Sequence, residues 1–513
     1  MASAAVRFLF DAIIGPFESE LHHVFLGRRF CRTQFRTGWY GPTDTPCGIR
    51  FHMLRHALTA ALVLALVSPA VRSLSAQNPA PTPPLGWNSW DSYGLTIDEA
   101  DYRANTKVLA GMHQYGWDYS VIDEGWYMQD PFAESVEARK YIWDENGILI
   151  PDGKRFPSSV MGAGFKPMAD WVHSQGLKFG VHIVRGIPRQ VVDGNLPIAG
   201  TNYHAKDAAD LTSPCPWDQG NWGIKDNEAG QAYYDSMLKL YADWGLDYIK
   251  VDCISDHPYR PTEIRQIAEA IRKTGRPIVL SLSPGPTQLE HAVEVGKYAQ
   301  MWRITDDHWD GWRFEHKSAT SEFPIGLHDE FDRIAAWAPN VKAGNWPDPD
   351  MLPEGYLGPH PGLGDARQSR YTQDEERTEF TLWAISRSPL ILGDNLTKLD
   401  DFSRSLYTNK EVLDLNQQAV ESKPGLLPKG KENDKEFPQR YWYASTGGPK
   451  PKRYVAVFNL ADAKTSANLP WMIFHLPNKS YAAFDVWNQK HLSKSKTLQV
   501  ELPAHGCALL RIE

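Results

Sequence analysis

Between residues 85 and 393 the chain repeats one order of events: an amphipathic helical stretch, often a glycine, then a short apolar run. Glycine closes a helix because it enters the left-handed conformation without strain, so each helix-Gly-strand junction marks a change of element. The pattern predicts strands at 85–87, 118–123, 177–183, 247–252, 277–283, 299–304, 341–346 and 389–393. Helices are predicted between them at 97–112, 165–174, 229–243, 262–273, 288–294, 331–337 and 374–386. Strands alternating with helices imply a parallel sheet with helices outside it. Eight such strands over about 310 residues fit a closed (β/α)8 TIM barrel. A doubly wound open sheet is the main alternative, but no GxGxxG follows the first strand. The catalytic-size segment is taken as 80–420, entered through the PAPTPP linker at 79–84.

After residue 420 the period changes. RYWYAS, RYVAVFNLA, LPWMIF, YAAFDVW, TLQVEL and CALLRI are short, β-rich and separated by turn residues. They predict a C-terminal antiparallel β-sandwich domain over 421–513, with Trp471 and Trp487 as core residues. At the other end, Met53 opens a basic start, a short apolar run and a small-residue stretch, the layout of a secretory signal peptide. The simplest reading is a start assigned too early, with Met53 the initiator, cleavage between Ala70 and Ala76, and 1–76 outside the fold. The product is then secreted or periplasmic. Cys31 and Cys47 fall in that extension, and the mature chain keeps Cys215, Cys253 and Cys507. Three cysteines in an oxidising compartment suggest one disulfide, Cys215–Cys253, with one thiol left over.

In a (β/α)8 barrel, chemistry sits at the C-terminal ends of the strands. Several predicted strands end in acids: Asp123-Glu124 after strand two, Asp252 at strand four, Asp306-Asp307 after strand six, Asp348 and Asp350 after strand seven. An acid buried inside a strand is expensive, so acids massed at one rim indicate a site. No CxxC pair and no Cys/His cluster has zinc spacing, so no metal and no cofactor are expected. A net charge of −8 excludes a dedicated polyanion binder, so no nucleic-acid partner is expected. No apolar run is long enough for a membrane span. Nineteen tryptophans suit a carbohydrate partner, because a pyranose lays its C–H face on an aromatic ring. Paired carboxylates with these features suggest glycoside hydrolysis, one acid attacking or activating water and the other protonating the leaving oxygen.

The segments TPPLGWNSWDSYG (82–94), YIKVDC (248–253), WRITDDHWDGW (302–312), NWPDPDML (345–352) and EERTEFTLWAISRSPLILG (375–393) carry a resemblance. In that order they resemble glycoside hydrolase family 27, the α-galactosidase or melibiase type. The resemblance implies a retaining double displacement with Asp252 as nucleophile and Asp307, rather than Asp306, as acid/base. It implies sugar contacts from Trp90, Asp123, Glu124, Lys250 and Arg303. Lys250 and Arg303 would contact hydroxyls or tune the two acids. Cys253 lies next to the nucleophile, where the family places a half-cystine one residue further on.

Three positions depart from the family pattern. The acidic pair is Asp123-Glu124 rather than two aspartates, and the longer Glu124 would crowd a C6 hydroxymethyl group. Relatives that prefer β-L-arabinopyranosides, the galactose shape without that group, are similar here. Ser283 stands where galactosidases often carry Glu followed by Trp, and resembles relatives accepting N-acetylgalactosamine. His182 stands where Tyr is common. The leading expectation is a secreted exo-glycosidase releasing terminal α-D-galactosyl residues. The alternatives are β-L-arabinopyranosidase, α-N-acetylgalactosaminidase and, remotely, an inactive sugar-binding module. Self-association into a homo-oligomer is left open.

Overall fold

The structure, a computed structural model, describes residues 78–513 except 134, 136, 137, 316–322, 433 and 435. The signal-peptide reading, Met53, Cys31 and Cys47 lie outside the described residues. Eight strands form one parallel sheet: β1 (Leu85–Asn88), β2 (Tyr119–Ile122), β3 (Lys178–Val184), β4 (Tyr248–Asp252), β5 (Val279–Leu282), β6 (Met301–Arg303), β7 (Trp346–Asp348) and β8 (Leu390–Leu392). Their order is β7-β6-β5-β4-β3-β2-β1-β8. Leu352, just beyond β7, closes the ring. Its N–H donates to Ile391 (2.8 Å) and its carbonyl accepts from Gly393 (3.0 Å).

Helices follow the strands: α1 (Glu99–Gly111), α2 (Lys166–Ser174), α3 (Glu228–Trp244), α4 (Pro261–Thr274), α5 (Ala292–Tyr298), α6 (Leu327–Trp337) and α7 (Gln373–Ser386). Two short helices, Asp401–Tyr407 and Lys410–Gln418, complete the eighth unit. Gly245 ends α3 at φ +101°, the left-handed conformation that its place between helix and strand predicts.

Side chains alternate along each strand, and this alternation builds both the core and the site. Ile249 and Val251 of β4, Leu280 and Leu282 of β5, and Trp302 of β6 join the large core beneath the helices. Tyr119, Val121, Tyr248, Val279, Met301, Trp346 and Ile391 form a separate apolar cluster. These are the other residues of the same strands, so they fill the barrel interior. Two residues further along the same inward columns stand Asp123, Lys250, Ser281, Arg303 and Asp348, and then Asp252, Ser283 and Asp350. The interior is apolar below and charged above.

The C-terminal sheet is antiparallel in the order β9 (Ala419–Pro424), β10 (Gln439–Thr446), β11 (Arg453–Asn459), β16 (Cys507–Ile512), β13 (Tyr481–Asp485) and β14 (Lys490–Ser495). A second pair, β12 (Thr465–Pro470) with β15 (Thr497–Leu502), covers one face. Tyr441, Val455, Val457 and Leu510 pack there with Leu469 and Leu498. The opposite face, Trp442, Tyr454, Ala456 and Phe458, joins the core of the barrel helices. Trp471 is buried, and Trp487 packs on the barrel core with its indole N–H on Thr381 Oγ1 at 2.9 Å.

Four expectations need correcting. The seventh strand begins at Trp346 rather than 341, because Lys342 and Asn345 close a turn through Gly344 at φ +86°. Helix α6 begins four residues earlier than expected, since Gly326 is extended (φ −108°, ψ 165°) and Leu327 starts the helix. LPWMIF is strand only to Pro470 and then a 3₁₀ turn. The region 288–294 is a 3₁₀ turn at Leu289–His291 that runs into α5. The excursion after β3 was not anticipated: a small antiparallel sheet of Ile187–Pro188, Asn221–Ile224 and Ala209–Pro214, with short helices at Arg189–Gly194 and Ala205–Ala208.

Candidate active site

The charged layer of the interior opens into a cleft of about 220 Å³ lined by Trp90, Asp123, Glu124, His182, Lys250, Asp252, Ser283, Arg303 and Asp307. All nine residues singled out from the sequence as catalytic or sugar-contacting therefore meet at one place. They come from six different strand ends, although up to 217 residues separate them in the chain (Trp90 to Asp307).

Asp123 is the fixed point of one wall. Its Oδ2 accepts from Asn88 Nδ2 (2.6 Å) and faces Lys250 Nζ (3.0 Å), and its Oδ1 accepts from the Glu124 backbone N–H (2.8 Å). Burial alone would raise its pKa, but the Lys250 charge, the neighbouring His182 ring and these bonds hold it well below the usual carboxylate range. The same contacts raise Lys250 despite its burial, with Asp123 as the leading partner. Lys250 is thus a locked cation rather than a snorkelling rim residue.

Asp252 ends β4. Its Oδ2 lies 3.6 Å from His182 Nε2, and its Oδ1 accepts from Trp217 Nε1 at 3.2 Å. Burial again pushes its pKa up, yet the facing His182 ring and the Lys250 charge outweigh that and leave it lowered. His182 stands ahead of Lys250 among these influences, although the resemblance assigns the tuning of the acids to Lys250 and Arg303. His182 sits on β3 and is buried, and its carbonyl accepts from Trp126 Nε1 at 2.7 Å.

Asp307 lies in opposite surroundings. Burial raises its pKa to about 6; Arg303 lowers it, and the charges of Asp350 and Asp252 raise it again. Arg303 Nη2 is 3.2 Å from Asp307 Oδ1 but only 2.7 Å from Asp350 Oδ2. The guanidinium is therefore largely committed to Asp350. Asp350 also accepts from the His308 backbone N–H (2.9 Å), which pins the residue after Asp307. The His308 ring is buried against Glu379, 2.5 Å from its Oε1. Asp306 turns away from Asp307's position and pairs with His257 at 3.2 Å.

Glu124 is held apart from these. Burial, with Asp218 and Asp252 adding their charge, pushes its pKa well up, against the opposing charge of Arg139. Arg139 Nη1 is 3.2 Å from Asp218 and 3.9 Å from Glu124 Oε1. Ser283 is buried in the cleft wall, and its N–H donates to the Val251 carbonyl at 2.8 Å.

Cys215 and Cys253 are joined, with Cα atoms 5.9 Å apart, and among the described residues Cys507 is the remaining thiol. Cys253 has φ +63°, a strained conformation for a residue with a side chain, directly after Asp252. The disulfide ties that strained turn to the loop carrying Trp217 and Asp218. Sequence reasoning missed Trp217, Asp218, Arg139, Asn88 and Asp91 as cleft or wall residues. The signal for the first two was present in CPWD (215–218): an aromatic and an acid two and three residues beyond a half-cystine expected to brace the Asp252 rim.

The arrangement can keep one carboxylate ionised and another protonated across one cavity, which is the requirement for acid-assisted displacement at an acetal carbon. Comparison with known proteins agrees. Residues 217–418 match the family model described as "Alpha galactosidase A", and 438–512 match "Alpha galactosidase C-terminal beta sandwich domain". Alpha-galactosidase A of Cellvibrio japonicus is 29% identical over 474 residues, 88% of this chain and 98% of that protein. The crystal structure of a GH27 β-L-arabinopyranosidase from Geobacillus stearothermophilus is 39% identical with TM-score 0.77, covering 85% of this chain and 97% of its own. A structure from Bacillus halodurans assigned provisionally to α-N-acetylgalactosaminidase is 37% identical with TM-score 0.72, covering 84% and 97%.

Proposed function

The chain belongs to glycoside hydrolase family 27, and from that premise we propose that it is a retaining exo-glycosidase for terminal galacto-configured sugars, with β-L-arabinopyranosides preferred over α-D-galactosides. The observation that carries the glycosidase reading is the meeting of Asp252 and Asp307 in one cleft, among neighbours that favour the anion of the first and the acid of the second. In the first step an Asp252 oxygen attacks the anomeric carbon while the Asp307 carboxylic acid gives its proton to the departing oxygen. The glycosidic C–O bond breaks and an ester to Asp252 forms. Esterification removes the Asp252 charge, one of the influences that raise Asp307, so Asp307 then holds its proton less tightly. It becomes the base that takes a proton from water as the water oxygen attacks the same carbon and Asp252 is released. Two inversions leave the anomeric configuration retained.

Asp123, Lys250 and Arg303 supply donors and acceptors for the ring hydroxyls, and Trp90 the apolar wall. Glu124 supports the choice of sugar. It lines the cleft with one methylene more than an aspartate, and in this reading that extra length takes the room a C6 hydroxymethyl would need. The 39% identity to a β-L-arabinopyranosidase points the same way. α-Galactoside hydrolysis is the second reading, favoured by the 29% identical α-galactosidase of Cellvibrio. The buried disulfide supports export to an oxidising compartment, as the Met53 leader suggests. Among the described residues no helix is long and apolar enough to cross a membrane. We take 80–420 as the catalytic domain and 421–513 as the sandwich.

The test is a parallel assay on nitrophenyl β-L-arabinopyranoside, α-D-galactopyranoside and α-N-acetylgalactosaminide, with Asp252→Asn as blank. Preference for the arabinopyranoside is expected. Preference for the galactoside would overturn the role given to Glu124 and leave the second reading.

A further inference from the structure

The two oxygens of Asp252 have different neighbours. His182, which faces Oδ2, belongs to the buried barrel interior. Trp217, which donates to Oδ1, does not: it is 45% exposed, while Trp87, Trp126, Trp302, Trp309 and Trp346 are fully buried. The fold does not need this indole for its core. Its loop is anchored on either side by other groups, the Cys215–Cys253 disulfide and the Asp218–Arg139 ion pair. The indole also packs edge-on against the His257 ring, with centroids 5.9 Å apart, and His257 pairs with Asp306, next to Asp307. Trp217 thus lines the same cleft as both acids and leaves much of its surface open to solvent.

We infer that Trp217 has two parts in the reaction: its N–H orients the Asp252 carboxylate for attack, and its exposed ring is the platform on which the leaving group's sugar or aryl ring rests. The inference rests on the reading of Asp252 as nucleophile. An indole N–H bound to Oδ1 leaves Oδ2, 3.6 Å from His182, to attack and stops the carboxylate from rotating. An aromatic face is apolar and electron-rich, so it suits the C–H face of a pyranose or a second aromatic ring. The loop that carries it is held to the residue after the nucleophile by the disulfide, which fixes the platform beside Asp252.

Two substitutions separate the parts. Trp217→Phe keeps a ring and removes the N–H; Trp217→Ala removes both. For Trp217→Phe, kcat on a disaccharide and on the nitrophenyl glycoside is expected to fall about 10- to 100-fold, the loss typical of a hydrogen bond to a charged group, with KM for the disaccharide unchanged. For Trp217→Ala, the same fall in kcat is expected with a further rise of about tenfold in KM for the disaccharide. The inhibition constant of the free monosaccharide, which occupies only the sugar pocket, should not move in either variant. Wild-type kinetics in both variants would overturn the inference. A raised inhibition constant for the free monosaccharide would place Trp217 in the sugar pocket and overturn the leaving-group assignment. Asp252→Asn assayed beside them distinguishes the two failures. Turnover surviving there overturns the nucleophile reading itself, whereas an inactive Asp252→Asn with normal Trp217 variants overturns only this inference.

Discussion

The wall that carries Asp252 and the wall that carries Asp307 place the same side chain in opposite settings. Around Asp252 stand a histidine, an indole N–H and a lysine, all favouring the anion. Around Asp307 the leading cation, Arg303, is drawn 2.7 Å from Asp350, and Asp350 adds its own negative charge. Burial raises both groups; the neighbours decide which one keeps its proton. The difference shows that proton affinity here is set by where each cation is spent. Lys250 is locked on Asp123 yet still acts on Asp252, while Arg303 is shared with a competing carboxylate.

The contrast can be broken most completely at Asp252. Asp252→Asn removes the attacking oxygen, and activity on every substrate should fall on the order of 10⁴-fold or more, as when a nucleophile is deleted elsewhere. Steady-state rates, with intact-mass detection of a glycosyl adduct on a 2-fluoro substrate in the wild type only, check it. Breaking the other wall is more selective. Asp307→Asn should slow oligosaccharide hydrolysis by about 10²- to 10⁴-fold, the usual worth of a general acid. It should slow the nitrophenyl glycoside much less, because that leaving group departs without a proton. Equal losses on both substrates would remove Asp307 from the acid role.

The brace on the Asp252 wall is next. Cys215 and Cys253 are 38 residues apart in sequence. Losing the bridge through Cys215→Ala with Cys253→Ala should cost about 4 kcal/mol by the chain-entropy relation, read from the denaturation midpoint. The smallest effect sharpens the contrast without disturbing either acid. Glu124→Asp should shift the ratio of kcat/KM for α-D-galactoside over β-L-arabinopyranoside upward by about 10- to 200-fold, the worth of one methylene in a pocket. A ratio that stays put would take the C6 discrimination away from Glu124.

How much of this was legible in the sequence follows the same division. Lys250, Asp252 and Arg303 lie on strands and Asp123 directly follows one, where a period of two fixes which side chains face inward, and apolar residues earlier in each strand mark the column. Tyr248, Lys250 and Asp252 are one such column. Three of the five residues that escaped notice sit on excursions between elements, whereas Asn88 and Asp91 lie on β1 and the short helix after it. Trp217 and Asp218 come from the loop inserted between β3 and α3, and Arg139 from the long connection after β2. A loop carries no period, so its place over the barrel depends on contacts made elsewhere, here a disulfide and an ion pair. The seventh strand slipped for a related reason: its apolar start, Val341, reads as strand, but the Gly344 turn delays pairing until Trp346.

The opposed proton affinities are tested most directly by the pH dependence of kcat/KM, which reports the free enzyme's acid and base. For the wild type it should fall through the Asp252 pKa on the acid side, below the ordinary aspartate value, and above about pH 6 on the alkaline side, as Asp307 loses its proton. In Asp307→Asn the alkaline limb should vanish while the acid limb stays. An alkaline limb that persists unchanged in Asp307→Asn would contradict the account.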